Sequence, residues 1–179
     1  KLQKEVIKYA KKLNSTNLSI LRSGNVSIRT KFKNIEGFLI TPSGRKYETL
    51  LPKEIIFVSL DGAYDEKGLK PSSEWKFHQD IYLKKKEANA IVHAHSLYAT
   101  SLSVHGKFIP AFHYMVALAG GDDIKCSKYA TFGTRELSYN IIKALKNRRA
   151  CLMSNHGQVS YGDDLGKAFE LAEEVENLC

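Results

Sequence analysis

The 179-residue chain is 43% hydrophobic and carries 27 lysines and arginines against 19 aspartates and glutamates, a formal net charge of +8. That size and apolar content suit one compact domain over residues 1–179, and no run approaches the roughly 18 apolar residues of a membrane helix. The basic excess suits an anionic partner, either nucleic acid or a phosphorylated small molecule. Nucleic acid is set aside, because Lys84, Lys85 and Lys86 close one helical pattern and Lys146, Arg148 and Arg149 another, with no aromatic-basic interleaving. Cys126, Cys151 and Cys179 lack zinc-finger or thioredoxin spacing; read as packing residues, they point to a reducing, cytoplasmic compartment. The first residue is Lys rather than Met, and both ends are expected to be incomplete.

Leu2, Val6, Ile7, Ala10 and Leu13 recur at a helical period and predict an opening amphipathic helix. Residues 23–29 turn into a short alternating strand, and Phe38, Leu39 and Ile40 form a second that runs into Thr41-Pro42-Ser43-Gly44. Glycine and small hydroxyl residues at strand ends leave backbone N–H groups open to an anion, at Gly24 with Asn25 and at Ser43 with Gly44; each is also an ordinary turn. Residues 55–60 predict a buried strand, and 61–68 an exposed hairpin connection. Pro71-Ser72-Ser73-Glu74 then leads into a helical face of Trp75, His78, Ile81 and Tyr82. A serine is the expected N-cap and Glu74 a first-turn carboxylate, while the free N–H groups of such a start also suit a phosphate.

The stretch Ala90-Ile91-Val92-His93-Ala94-His95-Ser96 predicts a buried strand on which His93 and His95 face the same way. Such a pair is half of a metal site with an open position for chemistry, and it also suits two satisfied core histidines. A short helix around residues 99–105 follows, then an apolar segment through Tyr114. Thr134 caps a helix carrying Leu137, Ile141, Ile142 and Leu145 that ends at Asn147. Residues 150–153 and 158–161 read as strands around the bend Asn155-His156-Gly157, which holds a further histidine, and residues 164–178 form a closing helix. His78, His105 and His113 lack ligand spacing with the pair and are taken as structural or surface residues.

Seven pieces in order, Ser23-Gly24-Asn25-Val26-Ser27, Thr41-Pro42-Ser43-Gly44, Pro71-Ser72-Ser73-Glu74-Trp75, His93-Ala94-His95, Phe112-His113-Tyr114-Met115, residues 129–137 and Asn155-His156-Gly157, resemble the class II aldolase/adducin family across nearly the whole chain. The resemblance implies an α/β fold, a three-layer α/β/α domain around a mostly antiparallel central sheet. It implies one zinc ion per subunit on His93, His95 and His156, with Glu74 closing the fourth position when no substrate is bound; cobalt or manganese would also suit these ligands. Gly24, Asn25, Ser43, Gly44, Ser72 and Ser73 would cradle the phosphate of a phosphorylated ketose. Glu74, Tyr114 and Phe132 would form the catalytic group, Glu74 as an acid/base with a raised pKa and Tyr114 as the weak acid for the aldehyde oxygen. A homotetramer is implied, with sites at subunit boundaries and Tyr114 and Phe132 serving a neighbour's site.

The implied reaction is cleavage of a ketose 1-phosphate, foremost L-fuculose 1-phosphate, into dihydroxyacetone phosphate and L-lactaldehyde through a metal-stabilised enediolate, with no lysine Schiff base. The rival on the same fold is an L-ribulose-5-phosphate 4-epimerase, although such epimerases typically carry aspartate where this chain has Glu74. A methylthioribulose-phosphate dehydratase fits the Phe112 to Met115 and 129–137 stretches less well. Non-catalytic adducin-like domains generally lack the three histidines. Two departures stand out: Ser43 replaces a threonine, and the aromatic carboxyl-terminal tail that closes over the aldehyde in such aldolases is not in this stretch.

Overall fold

Alternation along the strands decides how the layers assemble. In the computed structural model, which describes residues 1–179, the order is α1 (Leu2–Ser15), β1 (Asn25–Phe32), β2 (Ile35–Ile40), β3 (Ile56–Ser59), α2 (Trp75–Lys84), β4 (Ala90–Ala94), α3 (Leu97–Val104), β5 (Cys126–Ser127), α4 (Arg135–Ala144), β6 (Ala150–Met153), β7 (Gly157–Gly162) and α5 (Leu165–Leu178). The seven strands make one sheet in the order β3-β2-β1-β4-β7-β6-β5, antiparallel except for the short β5–β6 pair. Ala90, Val92 and Ala94 point from β4 into a core shared with Val6 and Leu13 of α1 and Leu165 and Phe169 of α5. Ile91, one residue out of phase, packs on the opposite face with Phe77 and Ile81 of α2 and Leu137 and Ile141 of α4. The fold is therefore the expected α/β/α sandwich, and β4 is buried on both faces because both faces are covered.

Most elements fall where the sequence puts them, and the differences have physical causes. β1 runs three residues beyond its expected end because Lys33 and Asn34, at φ 48° and 66°, make a tight two-residue hairpin that keeps residues 29–32 paired to β2. Residues 60–74 do not close a hairpin; they cross to α2, touching the sheet margin where Pro71 bridges Pro42. The N-cap of α2 is Glu74, not a serine, and its side chain makes no cap bond. Thr134 and Asp164 do cap α4 and α5, accepting from Leu137 N and Lys167 N. The parallel strand β5 escapes sequence reading because two residues carry no period.

The sheet positions the chemistry through two registers. Asn25 on β1 lies opposite His93 on β4, and His93 lies opposite Val159 on β7, so the ends of three neighbouring strands share one rim. Gly157 opens β7 immediately after His156, and a Cβ there would come within 2.3 Å of the Ala94 carbonyl oxygen. Backbone cannot yield as a side chain does, so Gly157→Ala is expected to lower stability by about 1–3 kcal/mol. Urea unfolding checks this, and an unchanged midpoint would mean that β4 and β7 separate there without cost.

Candidate active site

His93 leaves the central strand facing α2, and His95, two residues on, points the same way. Their Nε2 atoms come within 2.9 Å of each other. The bend after β6, where Asn155 adopts φ 55°, brings His156 beside them, and the three imidazoles stand edge to face with centroids 4.8–4.9 Å apart. Freed from capping, the Glu74 carboxylate reaches the same point, with Oε2 3.0 Å from His93 Nε2 and Oε1 3.1 Å from His156 Nε2. One donor atom from each of the four residues lies within 4.8 Å of the others.

This set fits a divalent metal ion. Four ligands about 2.1 Å from a tetrahedral centre would sit roughly 3.4 Å apart, close to the spacing found here. Glu74 Oε1 is buried without a hydrogen bond although His156 is near, a lone pair aimed at the centre of the cluster. His93 Nδ1 lies 2.8 Å from the Gln158 carbonyl oxygen; donating there leaves Nε2 as the ligand atom. The electrostatics agree with a cation-seeking centre. Burial alone would raise the Glu74 carboxyl, but the His93 and His156 imidazoles beside it outweigh burial and hold it well below the usual carboxylate range. The sequence reading asked for a raised value, and the flanking histidines reverse it. Burial and the neighbouring imidazoles push His95 down to about 3, whereas His93, despite its burial, is raised by Glu74.

A cavity of about 350 Å³ opens onto Glu74, His95 and His156. Its other wall is formed by Gly24, Asn25, Ser43, Gly44, Ser72 and Ser73, all six residues expected to meet a phosphate. Gly24 at φ 75° sits so close to the His93 carbonyl oxygen that a Cβ would come within 2.7 Å of it, and Gly44 takes φ 69°. The loops are laced together by Ser43 N donating to the Lys70 carbonyl and Ser72 N to that of Thr41. Phe132 lines the cavity of its own chain. Tyr114 does not: it is 81% exposed and borders a different concavity, with Phe112 and His113.

Two residues near the site went unnoticed in the sequence. Arg22 is the only arginine or lysine lining the cavity, and its Nη1 donates to the Gly44 carbonyl oxygen at 3.0 Å. Its signal was its place two residues before Gly24. His78, taken as structural, is fully buried and bonds Asn25, so it is tied to the site.

Residues 4–179 match the family model described as the Class II Aldolase and Adducin N-terminal domain. The chain belongs to that family. It is 44% identical over 179 residues to the L-fuculose phosphate aldolase of Escherichia coli K12, covering all of this chain and 81% of the relative. It is 43% identical over 178 residues to the 5-methylthioribulose-1-phosphate/5-deoxyribulose-1-phosphate aldolase of Rhodospirillum rubrum, covering 99% and 78%. A solved L-fuculose 1-phosphate aldolase superposes with a TM-score of 0.92 at 39% identity, covering 98% of this chain and 82% of that one. Membership in this metal-dependent family and the donor cluster together make the chain a class II aldolase, a lyase with a metal-binding site. No helix is long and apolar enough to cross a membrane.

The buried histidines set an acid limit on the fold. Burial, and then the charge on His93, push His78 down to about 3. The unfolded chain takes up a proton on this side chain below about pH 6.5, and the folded chain refuses it until near pH 3, so stability falls as acid is added through that window. His95 acts in the same direction and His93 against it. At pH 5 the His78 contribution is a loss of about 2 kcal/mol. Urea unfolding of metal-free protein should therefore show a lower midpoint at pH 5 than at pH 7, and an equal or higher one would mean that the gain at His93 matches or exceeds the losses at His78 and His95.

Proposed function

We propose that this protein is a zinc-dependent aldolase that cleaves a ketose 1-phosphate, foremost L-fuculose 1-phosphate, to dihydroxyacetone phosphate and L-lactaldehyde. The observation that carries the reading is the joining, in one cavity, of a four-donor metal cluster and a cradle of small residues laced at their backbones. The two ends are the two needs of such a substrate, a centre for the reacting oxygens and a holder for the phosphate. His93, His95 and His156 would hold the ion, leaving Glu74 free to exchange its place with substrate. When bound, the ion supplies Lewis-acid stabilisation of the negative charge left on the three-carbon fragment.

Breaking the C3–C4 bond takes the proton from the C4 hydroxyl and delivers one to C3. Glu74, beside the donors and bonded to Asn25 Nδ2 at 3.1 Å, is the group we assign to the proton on C3. Tyr114 is assigned to the C4 oxygen in a neighbouring subunit's site of a homotetramer, a reading supported by its exposure with Phe112 beside it. Phe132, on the cavity wall, would face the aldehyde end and exclude water from it. The phosphate would rest on Gly24, Asn25, Ser43, Gly44, Ser72 and Ser73, with the Arg22 guanidinium supplying the one fixed positive charge. Three free cysteines support a cytoplasmic setting.

A second reading has a specific observation behind it. The relative named for 5-methylthioribulose 1-phosphate and 5-deoxyribulose 1-phosphate is almost as similar as the L-fuculose phosphate aldolase. All these substrates are ketose 1-phosphates that would leave the same phosphorylated three-carbon fragment, and they differ in the aldehyde.

The deciding assay follows dihydroxyacetone phosphate release by metal-loaded protein from L-fuculose 1-phosphate, with 5-deoxyribulose 1-phosphate and L-ribulose 5-phosphate in parallel. Release from the first is expected. Release from the second alone would move the assignment to that aldehyde, and epimerised pentulose without release would overturn aldol cleavage. Glu74→Gln should keep its metal and lose turnover by about 100-fold or more; an unchanged rate removes Glu74 from proton transfer. Arg22→Gln should raise KM about tenfold with kcat nearly unchanged, the pattern of lost uniform binding, and an unaltered KM would take Arg22 out of phosphate binding.

A further inference from the structure

The proton-transfer assignment leaves unused a fully buried histidine one turn into α2. Glu74, His78 and Tyr82 recur at four-residue intervals from the start of that helix, and Asn25 and Ser27 alternate on the facing side of β1. The two rows interlock. Asn25 Nδ2 lies 3.1 Å from Glu74 Oε2, Asn25 Oδ1 2.5 Å from His78 Nε2, His78 Nδ1 2.7 Å from Ser27 Oγ, and Ser27 Oγ 2.8 Å from the Tyr82 hydroxyl. Asn25, Ser27 and His78 are at most 2% exposed.

The direction of every proton in this chain follows from its acidic end. A carboxylate only accepts, so Asn25 must turn its NH2 group to Glu74 and its carbonyl oxygen to His78. That oxygen also only accepts, so the proton sits on His78 Nε2. A neutral imidazole then offers Nδ1 as an acceptor, which draws the Ser27 hydroxyl proton and leaves the Ser27 oxygen to accept from Tyr82. Burial keeps the ring neutral at ordinary pH. With the opposite tautomer, Asn25 would have to flip, and its carbonyl oxygen would face the Glu74 carboxylate.

We propose that His78, as the neutral Nε2–H tautomer, is a positioning residue that fixes the Asn25 side-chain amide and through it the Glu74 carboxylate. The effect on turnover rests on the assignment of Glu74 to proton transfer; the tautomer does not. His78 touches no reacting atom, and its influence passes through one rotatable amide. Removing it leaves the Asn25 amide held from one end only and free to rotate away from Glu74, which slows the proton step and leaves the metal histidines in place.

The test has two arms. Long-range proton–nitrogen NMR of 15N-labelled, zinc-loaded protein is expected to show a protonated Nε2 and an unprotonated Nδ1 for His78 at neutral pH. A protonated Nδ1, alone or in an imidazolium, overturns the proposal whether or not the protein cleaves any ketose phosphate. The second arm is a cycle of His78→Phe, Asn25→Ala and the double variant. His78→Phe should lower kcat about tenfold with KM within about threefold and metal content unchanged, and should add nothing in the Asn25→Ala background. His78→Gln, which keeps an N–H for Asn25, should recover most of the rate. Equal losses in both backgrounds, or no recovery with glutamine, would reduce His78 to packing. Wild-type protein inactive on every ketose phosphate would defeat the aldolase reading instead, with the tautomer still decided by the first arm.

Discussion

Three imidazole nitrogens and a carboxylate crowded within 4.8 Å form a cluster that only protons or a cation can reconcile. Without a cation, Glu74 Oε2 has Asn25 and His93 as partners, while Oε1 lacks a hydrogen bond with His156 Nε2 only 3.1 Å away. A buried charge so placed is costly unless its partners are fixed, and much of the fold serves to fix them. β4 is the innermost carrier, flanked by β1 and β7, and it delivers His93 from near its end and His95 from one residue past it. The third arrives on the bend between β6 and β7, whose register is held by the close approach of Gly157 to the Ala94 carbonyl. The fourth comes from a helix start that forgoes its own side-chain cap. Cap energy is about 1 kcal/mol, so leaving α2 uncapped is a modest cost beside a stranded carboxylate.

The neighbouring cradle follows a different electrostatic rule. Its walls are glycine, serine and asparagine, and the loops are tied by backbone hydrogen bonds, not by a cluster of fixed charges. Neutral N–H and O–H donors would hold an anion without creating a strong field at the metal donors, with Arg22 the one fixed positive charge on the wall. The chain's +8 excess therefore says little about the site: the cavity wall carries one arginine and no lysine. Most of that charge lies elsewhere, which is why composition alone pointed at anionic partners without locating where one would bind.

What could be read in the sequence was whatever depends on spacing within one element. His93 on β4 and His95 one residue past its end face the same way because extended backbone alternates, and Thr134 caps α4 because local chemistry suffices. His156 and the donor set came only with the family resemblance, since no spacing joins the end of β6 to the middle of β4. Tertiary demands defeated local rules in three places. Serine preceding α2 reads as its cap, but Glu74 takes that position and turns to the histidines. Lys33-Asn34 lacks the glycine that usually marks a tight hairpin, yet both residues adopt positive φ to keep β1 and β2 paired. His78 lies on a helical face with apolar neighbours and so resembles a core residue; its partner Asn25 is 53 positions away, beyond any local pattern.

The interlocked rows of β1 and α2 also stand between the two halves of the proposed chemistry. Asn25 faces both: it lines the cradle wall and donates to Glu74, so in the proposed reaction the phosphate end and the proton-moving end would meet at one amide. Everything beyond that amide toward the phosphate is common to any ketose 1-phosphate, because such substrates share their first three carbons. Under the proposed reading, discrimination among them would come from the aldehyde end, toward which the cavity offers the exposed rings of Tyr129 and Phe132. Ring faces distinguish substrates by size and shape, at about 1–3 kcal/mol per methylene, whereas a buried polar partner rejects a missing hydroxyl far more strongly. Comparable similarity to relatives named for different ketose phosphates is the pattern this reading expects, with the phosphate half held in common and the aldehyde half left to a few contacts.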